Sequence, residues 1–349
     1  MKTVVSIQGD QFRINGQPTY EGRSWKGCRV EGLLLNSRMV QGVFDDLNGE
    51  TRNWWDYPDG AWDADRNTRE FIEHMPEWRS YGMLAFDVNI QGGSPRGYSE
   101  QQPWSNPGYH ANGTLHDDYM GRVQRICDKA DELGMVVMLG LFYFGQDERL
   151  DDEAAVCCAV DNVVDWLCER GCANVIVEVN NECDVPKYEH EILCPYRVHE
   201  LIERVQQRSA GRLDTPAGRL LVGTSMQGGS IPPANITAAS DVLLLHGNGR
   251  HDPAGITAMC KACRELPSYK GQPIVFNEDD HFDFDKPRNN FVAAVESYAS
   301  WGLFDYRYQG EGFEQGYQSL PCDWGQSSDR KRSFFRLLGE ITGEKPSAK

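Results

Sequence analysis

The chain has 349 residues, 40% hydrophobic and 25% charged, with a formal net charge of -17. This is the composition of an ordinary soluble globule with apolar mass for a large core, and its acidic excess argues against nucleic acid or an anionic membrane as partner, since both demand Lys and Arg. No stretch approaches the roughly 18 uninterrupted apolar residues of a membrane helix, and residues 1–9 lack the apolar run of a signal peptide, so a cytoplasmic protein is expected.

In chain order, residues 9–16 read as a small hairpin with an Asn-Gly turn, placed to cap the bottom of a barrel. Eight short apolar or β-branched runs follow as candidate strands, at 19–25, 83–89, 135–142, 175–181, 220–225, 242–246, 274–277 and 302–306. Helical spacing occupies the intervals at 69–80, 118–133, 154–169, 198–207, 254–266, 290–299 and 330–341, while 231–240 is too Pro-rich for more than one turn. Strand then helix, eight times over, is the pattern of a single (β/α)8 barrel, assigned to residues 1–343, with a flexible tail at 344–349. A doubly wound dinucleotide fold is disfavoured, because the glycines at 310–316 have the wrong spacing and no strand-helix context.

Eleven cysteines, an odd number, argue for thiols in place of a complete disulfide framework. Cys260-Lys-Ala-Cys263 has no matched second pair for zinc and reads as buried small residues.

Two apolar runs each end in a carboxylate: Val175-Ile-Val-Glu-Val-Asn-Asn-Glu182 and Pro273-Ile-Val-Phe-Asn-Glu278. Carboxylates at two strand ends of a barrel supply the equipment for glycoside hydrolysis, where one protonates the leaving oxygen and the other attacks the anomeric carbon. The two must differ: the acid needs a pocket that holds its proton, and the nucleophile needs donors or a cation to stay ionised. Asn181 and His246 are candidate neighbours of the acid, and Asn277, Arg23 or Arg307 of the nucleophile. Glu178, four residues before Glu182, shares its side of the strand and needs a buried partner. Rings in polar loops at the carboxyl ends of the strands, among them Trp54, Trp55, Trp104 and Trp324, are candidate platforms for the apolar faces of sugars.

These segments resemble the fourth, sixth and seventh strands of the retaining (β/α)8 glycoside hydrolases, in the clan that contains the family 5 cellulases and mannanases. The resemblance implies Glu182 as acid/base, Glu278 as nucleophile, Asn181 holding the sugar 2-hydroxyl and His246 as a site histidine. Asp87 stands on the second strand where the family tends to place an arginine. The expected activity is cleavage of β-linked oligosaccharides or glycosides by double displacement, with a carbohydrate substrate and no cofactor. Two alternatives are a metal-dependent sugar isomerase or epimerase, with Glu182, His246, Glu278 and Asp280 or His281 as ligands, and a barrel that binds sugar without catalysis. The acidic segment 278–285 reads as a solvated turn in preference to a calcium loop.

Overall fold

Eight parallel strands, each followed by a helix, form the barrel of the computed structural model, which describes residues 1–99 and 101–345. The strands are β1 (Asn36–Arg38), β2 (Ala85–Asn89), β3 (Val136–Phe142), β4 (Val175–Asn180), β5 (Leu221–Gly223), β6 (Leu243–His246), β7 (Ile274–Asp279) and β8 (Ser300–Phe304). The helices are α1 (Ala64–Ser80), α2 (Asp117–Leu133), α3 (Glu153–Glu169), α4 (His199–Ser209), α5 (Ala234–Ala239), α6 (Pro253–Glu265), α7 (Asn290–Glu296) and α8 (Asp329–Thr342). Parallel ladders run from β5 through β4, β3, β2, β1, β8 and β7 to β6. The seam between β5 and β6 is bridged where the Asp241 amide donates to the Val222 carbonyl at 2.9 Å.

Local chemistry sets the helix ends. Asp63, Asp152, Asp252, Asn289 and Ser328 cap α1, α3, α6, α7 and α8 with side-chain oxygens, satisfying first-turn amides that have no partner within the helix. Gly134 and Gly343, both left-handed, terminate α2 and α8.

Alternation along the strands divides the apolar residues into two cores. The larger lies between strands and helices, and holds residues such as Phe86, Leu139, Val177 and Phe276. The smaller fills the lower barrel with Leu34, Ala85, Val136, Met138, Ile176, Leu221, Val242, Leu244 and Val275. Val5 and Phe12 complete it from below. They belong to the antiparallel pair Val5–Gln8 and Gln11–Ile14, so the N-terminal segment does plug the bottom. It turns first at Gly9-Asp10, while Asn15-Gly16 leads into the short strand Gln17–Pro18.

One expectation fails. The first barrel strand is Asn36–Arg38, not residues 19–25, which run largely through turns and contribute only Ser24–Trp25 to a two-stranded ribbon with Cys28–Arg29. Of the tail at 344–349, residues 346–349 lie outside the described residues.

Candidate active site

Above the apolar layer the barrel interior turns polar. Arg38 ends β1 at 1% exposure, and a guanidinium buried so deeply must be paired. Its Nε meets Glu278 Oε2 at 2.6 Å, while Nη1 lies 3.2 Å from Asp87 Oδ1 and 3.3 Å from Glu178 Oε2. Nη2 donates to Asn181 Oδ1. From the other wall, Asn277 Nδ2 donates to Asp87 Oδ1 at 2.9 Å and to Glu178 Oε1 at 3.3 Å.

Asn277 and Glu278 are adjacent in β7, yet both point inward. A bulge makes this possible: Leu245 pairs with Phe276 but His246 with Glu278, and towards β8 three steps from Phe276 to Asp279 oppose two from Trp301 to Leu303. Asp279 is turned outward, where it accepts from Trp301 Nε1 and Asn290 Nδ2, both at 2.9 Å.

Glu182 lies two residues beyond β4 in a left-handed backbone conformation, φ 50°. For a residue with a Cβ this costs about 1–2 kcal/mol and is held by its surroundings. Ser225 Oγ accepts from the Glu182 amide at 3.0 Å, the Ser225 carbonyl accepts from the Cys183 amide at 2.9 Å, and Tyr188 donates its hydroxyl to the Asn181 carbonyl. The result aims the Glu182 carboxylate at His246, whose Nδ1 is 2.9 Å from Oε1. The same nitrogen is 3.7 Å from Glu278 Oε2. An oxygen of Glu182 and one of Glu278 thus lie within 4.8 Å of each other, with His246 between them.

The two environments are unlike. Glu278 is 5% exposed and receives Asn248 Nδ2 on its other oxygen. Burial pushes its pKa above the ordinary range, and the charges of His246 and Arg38 oppose that shift. For His246, burial disfavours the cation but is outweighed by the Glu278 charge and the hydrogen bond to Glu182, so it holds its proton above the usual histidine range. Arg38 is held protonated by Glu178, Glu278 and Asp87 against the cost of burial.

A cavity of about 420 Å³ opens over this cluster, lined by Arg38, Tyr98, Tyr143, Phe144, Asn181, Glu182, Lys187, Gln227, Glu278 and Phe304. That volume accommodates a small ligand such as one or two sugar rings. Tyr98, 57% exposed, presents its ring beside Phe304 at 5.6 Å and donates its hydroxyl to Asp280 Oδ2 at 3.0 Å.

Of the residues expected at the site, Glu182, Glu278, Asn181 and His246 converge. Asp87 lies beneath them, fully buried against Arg38, and is not among the residues that line the cavity. Arg23 is at the opposite end of the barrel, where it donates to the Ile341 and Glu340 carbonyls in the last turn of α8. Trp104 and Trp324 are each 1% exposed and offer no face to a sugar: Trp104 packs on Trp55, and Trp324 packs on Phe71 and donates to Asn67. Trp55 is likewise buried, its indole donating to Asp46 Oδ2 at 2.9 Å. Trp54 alone among the four stays open, at 44% exposure, lining a separate cavity of about 720 Å³ with Arg96, Arg307 and Tyr308. Tyr98, one of the loop rings expected to stack on sugar, lines the cavity, whereas Arg38, Asn248 and Tyr143 went unforeseen; the run Leu33-Leu34-Leu35 before Arg38 was the available signal for the first.

No family model matches the chain, and no curated protein sequence matches it. Among solved structures it is similar to the endo-1,4-beta-mannanase from Rhizomucor miehei, with a TM-score of 0.59 and 10% identity over 98% of this chain and 98% of that one. It is also similar to a glycoside hydrolase of family 5 from Bacteroides vulgatus, at TM-score 0.56 and 13% identity over 96% and 70% of the two chains. A family 1 β-glucosidase from Thermotoga maritima matches at TM-score 0.54 and 11% identity, over 90% and 98%. Against another Bacteroides vulgatus structure the chain spans 60% of that chain's length. At these identities the likeness is one of fold, and the fold is the (β/α)8 barrel.

Proposed function

We propose that residues 1–343 act as one catalytic domain, a retaining glycoside hydrolase of β-linked sugars, with Glu278 as nucleophile and Glu182 as acid/base. The observation that carries this reading is that an oxygen of Glu182 and one of Glu278 lie within 4.8 Å of each other at the mouth of the barrel, which leaves no room between them on that side for the attacking water of an inverting enzyme. Retaining enzymes hold their carboxyl groups about 5–5.5 Å apart, and inverting enzymes about 6.5–9.5 Å to admit a water. Glu278 attacks the anomeric carbon as Glu182 gives its proton to the departing oxygen. Glu182 then takes a proton from water, which attacks the same carbon and frees Glu278. Arg38 and Asn248 fix the nucleophile's two oxygens, and His246 orients Glu182.

The same three residues, Glu182, His246 and Glu278, could supply a divalent ion with ligands, as a metal-dependent isomerase requires. Arg38 weighs against that use: its guanidinium stands 2.6 Å from Glu278 Oε2, so a dication sharing that carboxylate would face a fixed positive charge.

Two results test the reading. A 2-fluoro β-glycoside with a good leaving group is expected to inactivate the enzyme and leave its sugar bonded to Glu278 in a peptic digest. Label on another residue, or no label together with a product of inverted configuration by proton NMR, would reject the mechanism. The pH profile supplies the second. Turnover requires Glu278 ionised, and its proton is held above the ordinary range, so kcat/KM is expected to fall, as pH decreases, at a higher pH than the roughly 4.3 of a free glutamic acid. An acid limb at or below that value would contradict the assigned nucleophile.

A further inference from the structure

Four carboxylates, Asp87, Glu178, Glu182 and Glu278, crowd around two cationic groups, Arg38 and His246, in a nest closed to water except at its mouth. Burial disfavours the two surplus negative charges; Glu182 removes one when it holds its proton as the general acid, and a carboxylate below the catalytic pair is the place for a second proton. The hydrogen bonds identify which. Both oxygens of Glu178 have donors, Oε1 from Asn277 and Oε2 from Arg38, and both oxygens of Glu278 have theirs from Asn248 and Arg38. Asp87 differs. Its Oδ1 accepts from Arg38 and Asn277, while Oδ2 is buried without a partner. Asn277, already joined to Asp87 through Nδ2, has its own Oδ1 buried without a partner.

We propose that Asp87 is a neutral carboxylic acid that donates from Oδ2 to Asn277 Oδ1, closing a two-bond acid-amide pair beneath the nucleophile. One proton satisfies two orphaned oxygens, removes one negative charge and leaves Arg38 to serve Glu278 and Glu178. Asp87 touches no substrate; it is a positioning residue that acts through Arg38. Burial raises its pKa to about 8, with Glu178 adding to the shift and Arg38, Asn277 and His246 opposing it. On the alkaline side Asp87 ionises, competes with Glu278 for Arg38, and loosens the nucleophile's seat. Its use in catalysis rests on the hydrolase reading, but its protonation does not.

The test is a carboxyl ¹³C NMR titration of wild-type protein labelled at aspartate, with Asp87→Asn for assignment. One resonance, absent from the variant, is expected to show a protonated carboxyl at neutral pH and to titrate near 8. An Asp87 resonance already ionised at neutral pH overturns the proposal, whether or not any glycoside is turned over. Activity adds a reading that mere structural support would not give. Asn keeps the shape of a neutral acid and donates from Nδ2, so Asp87→Asn should hold kcat/KM within about threefold at neutral pH, and its alkaline limb should lose the step near 8. Asp87→Ala should lose more than about tenfold. Equal losses in the two variants, or an unchanged alkaline limb in Asp87→Asn, would count against the acid-amide pair.

Discussion

Replacing Glu278 with alanine is expected to lower kcat by on the order of 10⁴-fold or more, with little change in stability. The first effect follows from chemistry: the carbon-oxygen bond that Glu278 forms with the sugar has no substitute, because Asn248 and Arg38 are donors without a nucleophilic oxygen. The second follows from crowding. Arg38 retains Glu178 and Asp87 after the change, so no buried cation is left unpaired and one negative charge is gone. The space vacated by the carboxylate also allows rescue. Azide added to Glu278→Ala with an activated β-glycoside is expected to restore turnover and give the α-glycosyl azide. One displacement in place of two inverts the anomeric centre; a β-azide, or no rescue with the fold intact, would speak against Glu278 as nucleophile.

Arg38→Met, at the other end of the same ion pair, is expected to cost about 3–5 kcal/mol of stability and about 10²–10³-fold in kcat. The asymmetry is physical. Removal of the cation strands the charged Glu278 and Glu178 in a site where the guanidinium is 1% exposed, and takes a donor from the neutral Asp87, so the two carboxylates must take up protons or draw water inward. Glu278 then ionises only at higher pH, so the acid limb of kcat/KM should move upward as well. Arg38→Lys should rescue little, since one ammonium cannot span acceptors on β2, β4 and β7 as a guanidinium does. Urea unfolding with unchanged slope and a lowered midpoint would separate lost stability from an altered unfolded state. A midpoint equal to that of the wild type would show that Arg38 is not the hub of the nest.

The proposed catalytic pair was legible because buried strands of a parallel barrel are unbroken apolar runs, and a carboxylate ending one stands out. Glu182 and Glu278 stood out in that way, while Asn181 and His246 followed from the likeness of their strands to the fourth and sixth strands of the family. The first strand was missed for the opposite reason. Its inward positions hold Asn36 and Arg38 where apolar residues are expected, and its ladder is only three residues long. Thr19, Tyr20 and Trp25 imitate a strand better than Asn36-Ser37-Arg38 does, and this misplacement put Arg23 in the site instead of Arg38. The tryptophans failed through distance in sequence. Phe44, Trp55, Trp62 and Trp104 join the larger core from two loops, and nothing local says that rings some fifty residues apart will cover one another. The bulge in β7, which turns both Asn277 and Glu278 inward, breaks the period of two without a glycine to announce it.

The left-handed backbone at Glu182 sets two demands against each other at one residue. Glycine would adopt that φ without strain, and asparagine with little, whereas glutamate must be held there by Ser225 and its neighbours. Selection for heat resistance alone would therefore drift this position toward glycine and silence the enzyme as it hardened the fold. A directed-evolution campaign on this scaffold needs a screen for turnover in every round, because relief of backbone strain is open at the proposed acid/base itself.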